Sequence, residues 1–154
     1  MKKLFVTALA LFVGSATLAA NTYALSPQKV RSFENEYAFQ IVQDREVANL
    51  IQNVLMQDFI ASVAVSPPAT LLGGRFLAVS GCVQHNCPDN TLIVIDSNHT
   101  EAILIARNSS DDMNPGSPLE FTKFVMSEAW MQVHGFQTEN WPWLVVNELN
   151  NLGN

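Results

Sequence analysis

The 154 residues suffice for one domain with a single core, without the help of many disulfides or metals. Apolar residues make up 48% and charged residues 14%, which excludes an intrinsically disordered chain. A formal net charge of −6 disfavours nucleic acid and anionic membrane as partners and favours cationic ones.

Met1-Lys2-Lys3 is a basic start, and Leu4 to Leu18 is an apolar run interrupted only by Thr7, Gly14, Ser15 and Thr17. Small residues follow at Ala19 and Ala20. This is the layout of a secretory signal peptide over residues 1–20, cleaved between Ala19 and Ala24, which leaves a domain over 25–154. An uncleaved anchor is the competing reading, but the run is short for a hydrocarbon core of ~30 Å. No cysteine stands near its end to direct lipoprotein processing. Loss of Lys2 and Lys3 leaves 6 basic residues against 14 acidic ones, a net of −8 for the exported chain.

Ser26-Pro27 reads as an N-cap with proline in the first turn, and Val30, Phe33, Tyr37 and Ile41 follow at helical spacing. From Asp44 a second pattern begins, with Val47, Leu50, Ile51, Val54 and Leu55 forming one apolar stripe of an amphipathic helix. Ser66-Pro67-Pro68 ends that region, and Gly73-Gly74 turns the chain. Three runs, Arg75–Val79, Thr91–Ile95 and Ala102–Ala106, are apolar at consecutive positions, as strands buried on both faces are. Joined by short turns, they predict an antiparallel meander with helices on both faces, an α/β (α+β) three-layer sandwich. Ser117-Pro118-Leu119-Glu120 reads as a capping box opening a helix that runs to His134, with Gly135 as its stop. The apolar tail from Trp141 reads as a last packed helix.

Between the first two strands lies Ser80-Gly81-Cys82-Val83-Gln84-His85-Asn86-Cys87-Pro88-Asp89, which holds the only two cysteines. In an oxidising compartment two thiols so close are expected to pair, so export predicts a Cys82–Cys87 disulfide. The ring is too small to lower the unfolded chain's entropy by much. Its expected effect is to stiffen a protruding loop and present His85, which suits binding rather than catalysis.

Other chemistry finds little support. No Gly-x-Ser-x-Gly is present, and the carboxylate pair Asp111-Asp112 falls in a polar loop. None of His85, His99 and His134 stands in a catalytic setting, so no enzymatic activity is expected. Cys82, His85 and Cys87, with His99, crowd too closely in sequence for an unstrained tetrahedral metal site, and export favours the disulfide. A thiol oxidoreductase would carry Cys-x-x-Cys at a helix start, not Cys-x4-Cys between strands. No cofactor is implied.

The stretch Phe76 to Arg107 resembles the inhibitor of vertebrate lysozyme family, Ivy, of Gram-negative periplasms. That family carries a strand, a disulfide-closed loop Cys-Lys-Pro-His-Asp-Cys and further apolar strands, against Cys82-Val83-Gln84-His85-Asn86-Cys87 here. Val79-Ser80 before the loop and Ser66-Pro67-Pro68-Ala69 upstream also match. The resemblance implies a periplasmic inhibitor of c-type lysozyme that inserts this loop into the enzyme's cleft, with His85 on the catalytic carboxylates. Family members can form dimers, so it also allows a homodimer. The family's lysine, proline and aspartate are replaced by Val83, Gln84 and Asn86, which bears on strength and target. The alternative is an Ivy-like periplasmic binding or envelope protein that keeps the scaffold with the target lost or changed.

Overall fold

The computed structural model describes residues 25–52, 65–83, 86–108, 121 and 123–152, without the side chains of Gln52, Val83 and 86–89. The expectation of a mixed α and β chain built on an antiparallel sheet holds in that form. The sheet has five strands rather than three, in the order β1 (Thr70–Leu72), β2 (Phe76–Val83), β3 (Asn86–Asp96), β4 (Ile103–Arg107) and β5 (Lys123–Met126). Every neighbouring pair is antiparallel.

Before the sheet come three short helices: α1 (Pro27–Ser32), α2 (Ala38–Gln43) and α3 (Arg45–Gln52). Ser26 caps α1 by accepting the Lys29 N–H at 3.1 Å, as its place before Pro27 predicts. The helical spacing from Val30 to Ile41 belongs to two helices, broken at Asn35. Asn35 has φ of 69°, a left-handed conformation that asparagine tolerates better than most residues. The break frees backbone groups for another use: Asn35 N–H donates to the Ala69 carbonyl at 2.9 Å, and Ala69 N–H to that of Glu36 at 2.8 Å. Asp44 Oδ1 caps α3, accepting from Glu46 N–H at 3.0 Å and more weakly from Val47 N–H at 3.4 Å. Its stripe buries Val47 and Ile51, while Val54 and Leu55 lie outside the described residues.

Gly73 and Gly74 have φ of 58° and 68°, the two positive values that a tight hairpin turn needs, and Arg75 N–H closes it onto the Leu72 carbonyl. At Gly73 space adds a second reason for glycine, since a Cβ there would lie 2.5 Å from Leu144 Cδ1.

The expected long helix ending at His134 is corrected. Its capping box, Ser117 to Glu120, lies outside the described residues, and Lys123–Met126 is strand β5, paired Leu104↔Met126 through Arg107↔Lys123. The helix, α4, is Glu128–His134. Ser127 is the cap: its Oγ accepts from Trp130 N–H at 3.1 Å and from Ile103 N–H at 2.9 Å, and donates to the Glu101 carbonyl at 2.7 Å. One hydroxyl thereby starts the helix and ties it to the head of β4. Gly135 does stop it, with φ of 80°. A 3-10 turn (Thr138–Asn140) leads to α5 (Trp143–Leu152), the packed tail helix expected from the sequence.

The consecutive apolar residues of the strands serve two clusters. Leu77, Val79, Ile93, Ile95, Ile103 and Ile105 pack with Val30, Phe33, Ile41, Val47 and Ile51. Their alternates Phe76, Ala78, Leu92, Val94, Leu104 and Ala106 pack with Trp130, Trp141, Val145 and Leu149. Each Val, Leu, Ile or Phe side chain fully buried in this way contributes roughly 1.5–3 kcal/mol, so β2, β3 and β4 form a stiff platform from which the β2–β3 hairpin can extend.

Candidate binding site at the hairpin tip

Among the described residues, the β2–β3 pairing continues past the last pairs of β1 and β4. β1 leaves β2 at Thr70↔Ala78, and β4 leaves β3 at Thr91↔Arg107, followed by one bond from Asn108 N–H to the Asn90 carbonyl. β2 and β3 continue through Cys82↔Asn90 to Val83↔Asn86. An isolated bridge supports one side, where Val65 and Cys82 exchange backbone hydrogen bonds of 3.1 and 2.9 Å. Among the described residues, Cys82 is the last of β2 held on both sides, and it is buried.

Beyond it the register jumps. Cys82 faces Asn90 while the adjacent Val83 faces Asn86, so residues 87–89 of β3 have no counterpart on β2. This is a bulge, which twists a ribbon and re-aims its end. Pro88 suits it, having no amide hydrogen to offer a ladder. Of the expected loop Cys82-Val83-Gln84-His85-Asn86-Cys87, the structure describes Cys82 fully and Val83, Asn86 and Cys87 in their backbone. Gln84 and His85 lie outside the described residues; in sequence they fall between the paired Val83 and Asn86. Beside the hairpin is an open cleft of about 300 Å³, lined by Val65, Ser66, Pro67, Ser80, Cys82 and Leu152 among others.

The hairpin's other end is chemically different. Arg75 donates two bonds to Asp96, Nε to Oδ1 at 2.9 Å and Nη2 to Oδ2 at 2.7 Å. Asn98 N–H reaches Oδ1 at 2.9 Å, and His134 Nε2 lies 3.0 Å from Oδ2. The Asp96 side chain is wholly buried and that of His134 almost so. Burial pushes the Asp96 carboxyl up, but the bonds from Arg75 and Asn98 outweigh it and hold the group below its ordinary range. Burial likewise disfavours the His134 imidazolium. Its attraction to Asp96 is offset because Arg75 already neutralises that carboxylate, and the imidazole is held below its ordinary value.

These contacts sort the three histidines. His134 is committed to Asp96 and packs on Trp130, ring centroids 4.5 Å apart. His99 is exposed in the turn after β3, where its N–H bonds the Asp96 carbonyl, at the end of β3 away from Cys82. Only His85 belongs in sequence to the outrunning tip. The Arg75–Asp96–His134 cluster was not anticipated. Its signal was an aspartate closing one apolar strand and an arginine opening another, which antiparallel pairing sets side by side.

The model of the family described as "Inhibitor of vertebrate lysozyme (Ivy)" matches residues 44–115. That span runs from the α3 cap through both strands of the hairpin to beyond β4, and it bears out the resemblance read from the loop. No curated protein and no solved structure matches.

Proposed function

We propose that this chain, an Ivy-family sequence over residues 44–115, is an exported, periplasmic inhibitor of c-type lysozyme that acts through the β2–β3 tip. The family match supports a lysozyme-inhibiting role in general. The finer reading rests on one observation: among the described residues the β2–β3 pairing runs past the last pairs of both neighbouring strands, and the Cys82–Cys87 segment lies at its end.

In this reading the leader over 1–20 directs export from a Gram-negative cytoplasm, and the oxidising periplasm joins Cys82 to Cys87. The bridge spans the bulge and fixes the two residues between Val83 and Asn86. His85 then meets the enzyme's two catalytic carboxyl groups, one an acid and the other ionised. An imidazole suits that pair because it donates a hydrogen bond in either protonation state and becomes a cation when the site favours it. The acidic balance of the exported chain steers it towards a cationic enzyme.

Val83, Gln84 and Asn86 favour a second reading. Three of the four residues between the cysteines differ from the family's lysine, proline and aspartate, so an Ivy-like scaffold with another target is the alternative. Titrating the mature protein into a c-type lysozyme activity assay separates the two. Inhibition that His85→Ala weakens by about 10- to 150-fold, the value of a charge-assisted hydrogen bond, supports the first reading. A folded wild type that leaves the enzyme fully active supports the second.

A further inference from the structure

Beside the hairpin the chain exposes two aromatic rings that the fold has no need to expose. Tyr37 and Phe39 are 45% and 58% accessible, and their rings stack with centroids 6.0 Å apart and planes 20° from parallel. Helix α2 fixes them there. Ala38 and Ile41, one turn apart, are buried and take up its inward face, so the residues on either side of Ala38 must face out. Ala38 N–H also bonds Ser66 Oγ at 3.3 Å, and Tyr37 pairs with Pro68.

The segment that carries this ledge is the one that braces the tip. Val65, 49% exposed, is bonded to Cys82, and Ser66 and Pro68 follow it directly. At a strand spacing of about 4.8 Å, Tyr37 lies on the order of 10 Å from β2, on the edge nearest Cys82. The turn leading into Tyr37 is acidic, with Glu34 exposed and Glu36 half-buried, while Lys29, which lines a cleft with Glu36, is paired with Asp44. Stacked rings with carboxylates in the adjoining turn suit a guanidinium group, which lies flat on an aromatic face and pairs with an acid at its edge.

We propose that the Tyr37–Phe39 ledge is a second contact for the lysozyme bound by the tip, receiving an arginine side chain beside the enzyme's cleft. The occupant follows from the charge complementarity of Glu34, Glu36 and a net-negative chain with a cationic partner, and from the ledge's continuity with the tip through Val65–Pro68. The inference rests on the lysozyme reading of the tip.

Calorimetric titration of a c-type lysozyme with wild type, Phe39→Ala, Tyr37→Ala and Trp143→Ala tests it. Trp143 is the control: it is 73% exposed, and the adjoining Leu144 reaches Gly73, at the end of the sheet away from Cys82. Phe39→Ala and Tyr37→Ala should each weaken binding about five- to thirtyfold, the range of a cation–π contact shielded from water. Trp143→Ala should bind as wild type does, and blocking the enzyme's arginines with a dicarbonyl reagent should abolish the difference between Phe39→Ala and wild type. Ledge variants that are folded by circular dichroism and bind within twofold of wild type would overturn this inference alone. A wild type that binds no lysozyme would overturn both it and the reading of the tip.

Discussion

The two ends of the β2–β3 hairpin use polar residues in opposite ways. At the Arg75–Asp96 end a buried carboxylate and imidazole meet a half-buried guanidinium, with contacts of 2.7 to 3.0 Å. At the Cys82 end the ladder, among the described residues, runs past the last pairs of its neighbours, breaks register and leads in sequence to a short segment with one histidine. The first end binds the sheet to α4 through His134. The second is held only as far as Cys82. A hairpin anchored at one end by a buried charge cluster can carry a recognition element at the other, because an error at the tip costs binding and not the fold.

Asp96→Ala should break the comparison at its anchored end, with the largest effect. It leaves the half-buried Arg75 guanidinium and the buried His134 imidazole without their shared carboxylate, and each hydrogen bond to a charged group lost in this way costs about 1.5–3 kcal/mol. Urea unfolding should show that loss in the midpoint, while lysozyme affinity per folded molecule stays as it was. Loss of affinity with full stability would mean that the two ends had been assigned the wrong way round.

Cys82→Ser should act in the opposite sense. The proposed Cys82–Cys87 ring is short and would add little to global stability, so the variant's thermal midpoint should shift by far less than that of Asp96→Ala. Affinity should fall through lost preorganisation of the tip. A variant with affinity equal to wild type would show that the tip needs no tie.

Acidification should loosen the anchored end in two stages. His134 is held below its ordinary value of about 6.5 in the folded chain. Above that value its contribution is fully present. As pH falls from 6.5 through the lowered folded value, the unfolded chain takes up the proton first and stability drops. Asp96, also lowered, repeats the loss once pH falls below its ordinary 3.8. The charged groups facing His134 are Asp96, Arg75 and His99. Thermal melts of wild type and His134→Gln across pH 5–8 should differ in slope, with the variant flatter. Parallel curves would show that His134 does not govern this range.

Ionic strength should have the smallest effect. Exposed charges are screened beyond ~8–10 Å at ordinary salt, so association with a cationic lysozyme should slow as salt rises, with dissociation little changed. A salt-independent on-rate would assign the acidic balance to solubility.

The central strands were legible in the sequence because their runs at Arg75–Val79, Thr91–Ile95 and Ala102–Ala106 are continuously apolar, which is what two buried faces demand. Gly73-Gly74, Ser26-Pro27 and Gly135 were legible for local steric reasons. The edge strands were not. Thr70–Leu72 is three residues long, too short for a period, and Lys123–Met126 follows a helix-start signal that masks it. Its strand state depends on pairing with β4, a tertiary contact that no local propensity encodes. The tip was legible as chemistry, through its two cysteines and one histidine, but not as geometry, because the register jump after Cys82 depends on which residues of β3 remain unpaired. Of the Tyr37–Phe39 ledge, only Tyr37 stood in a sequence pattern, the helical spacing of Val30, Phe33 and Ile41, which the left-handed Asn35 divides.

The most direct test uses the protein's three histidines as separate reporters. The imidazole proton resonances of isotopically labelled protein are followed by NMR as an unlabelled c-type lysozyme is added. The His85 resonance should shift or broaden with saturation at one equivalent, while those of His99 and His134 stay in place. A complex that forms while His85 stays unmoved, or that moves His99 instead, would contradict the assignment of the tip as the lysozyme-binding element.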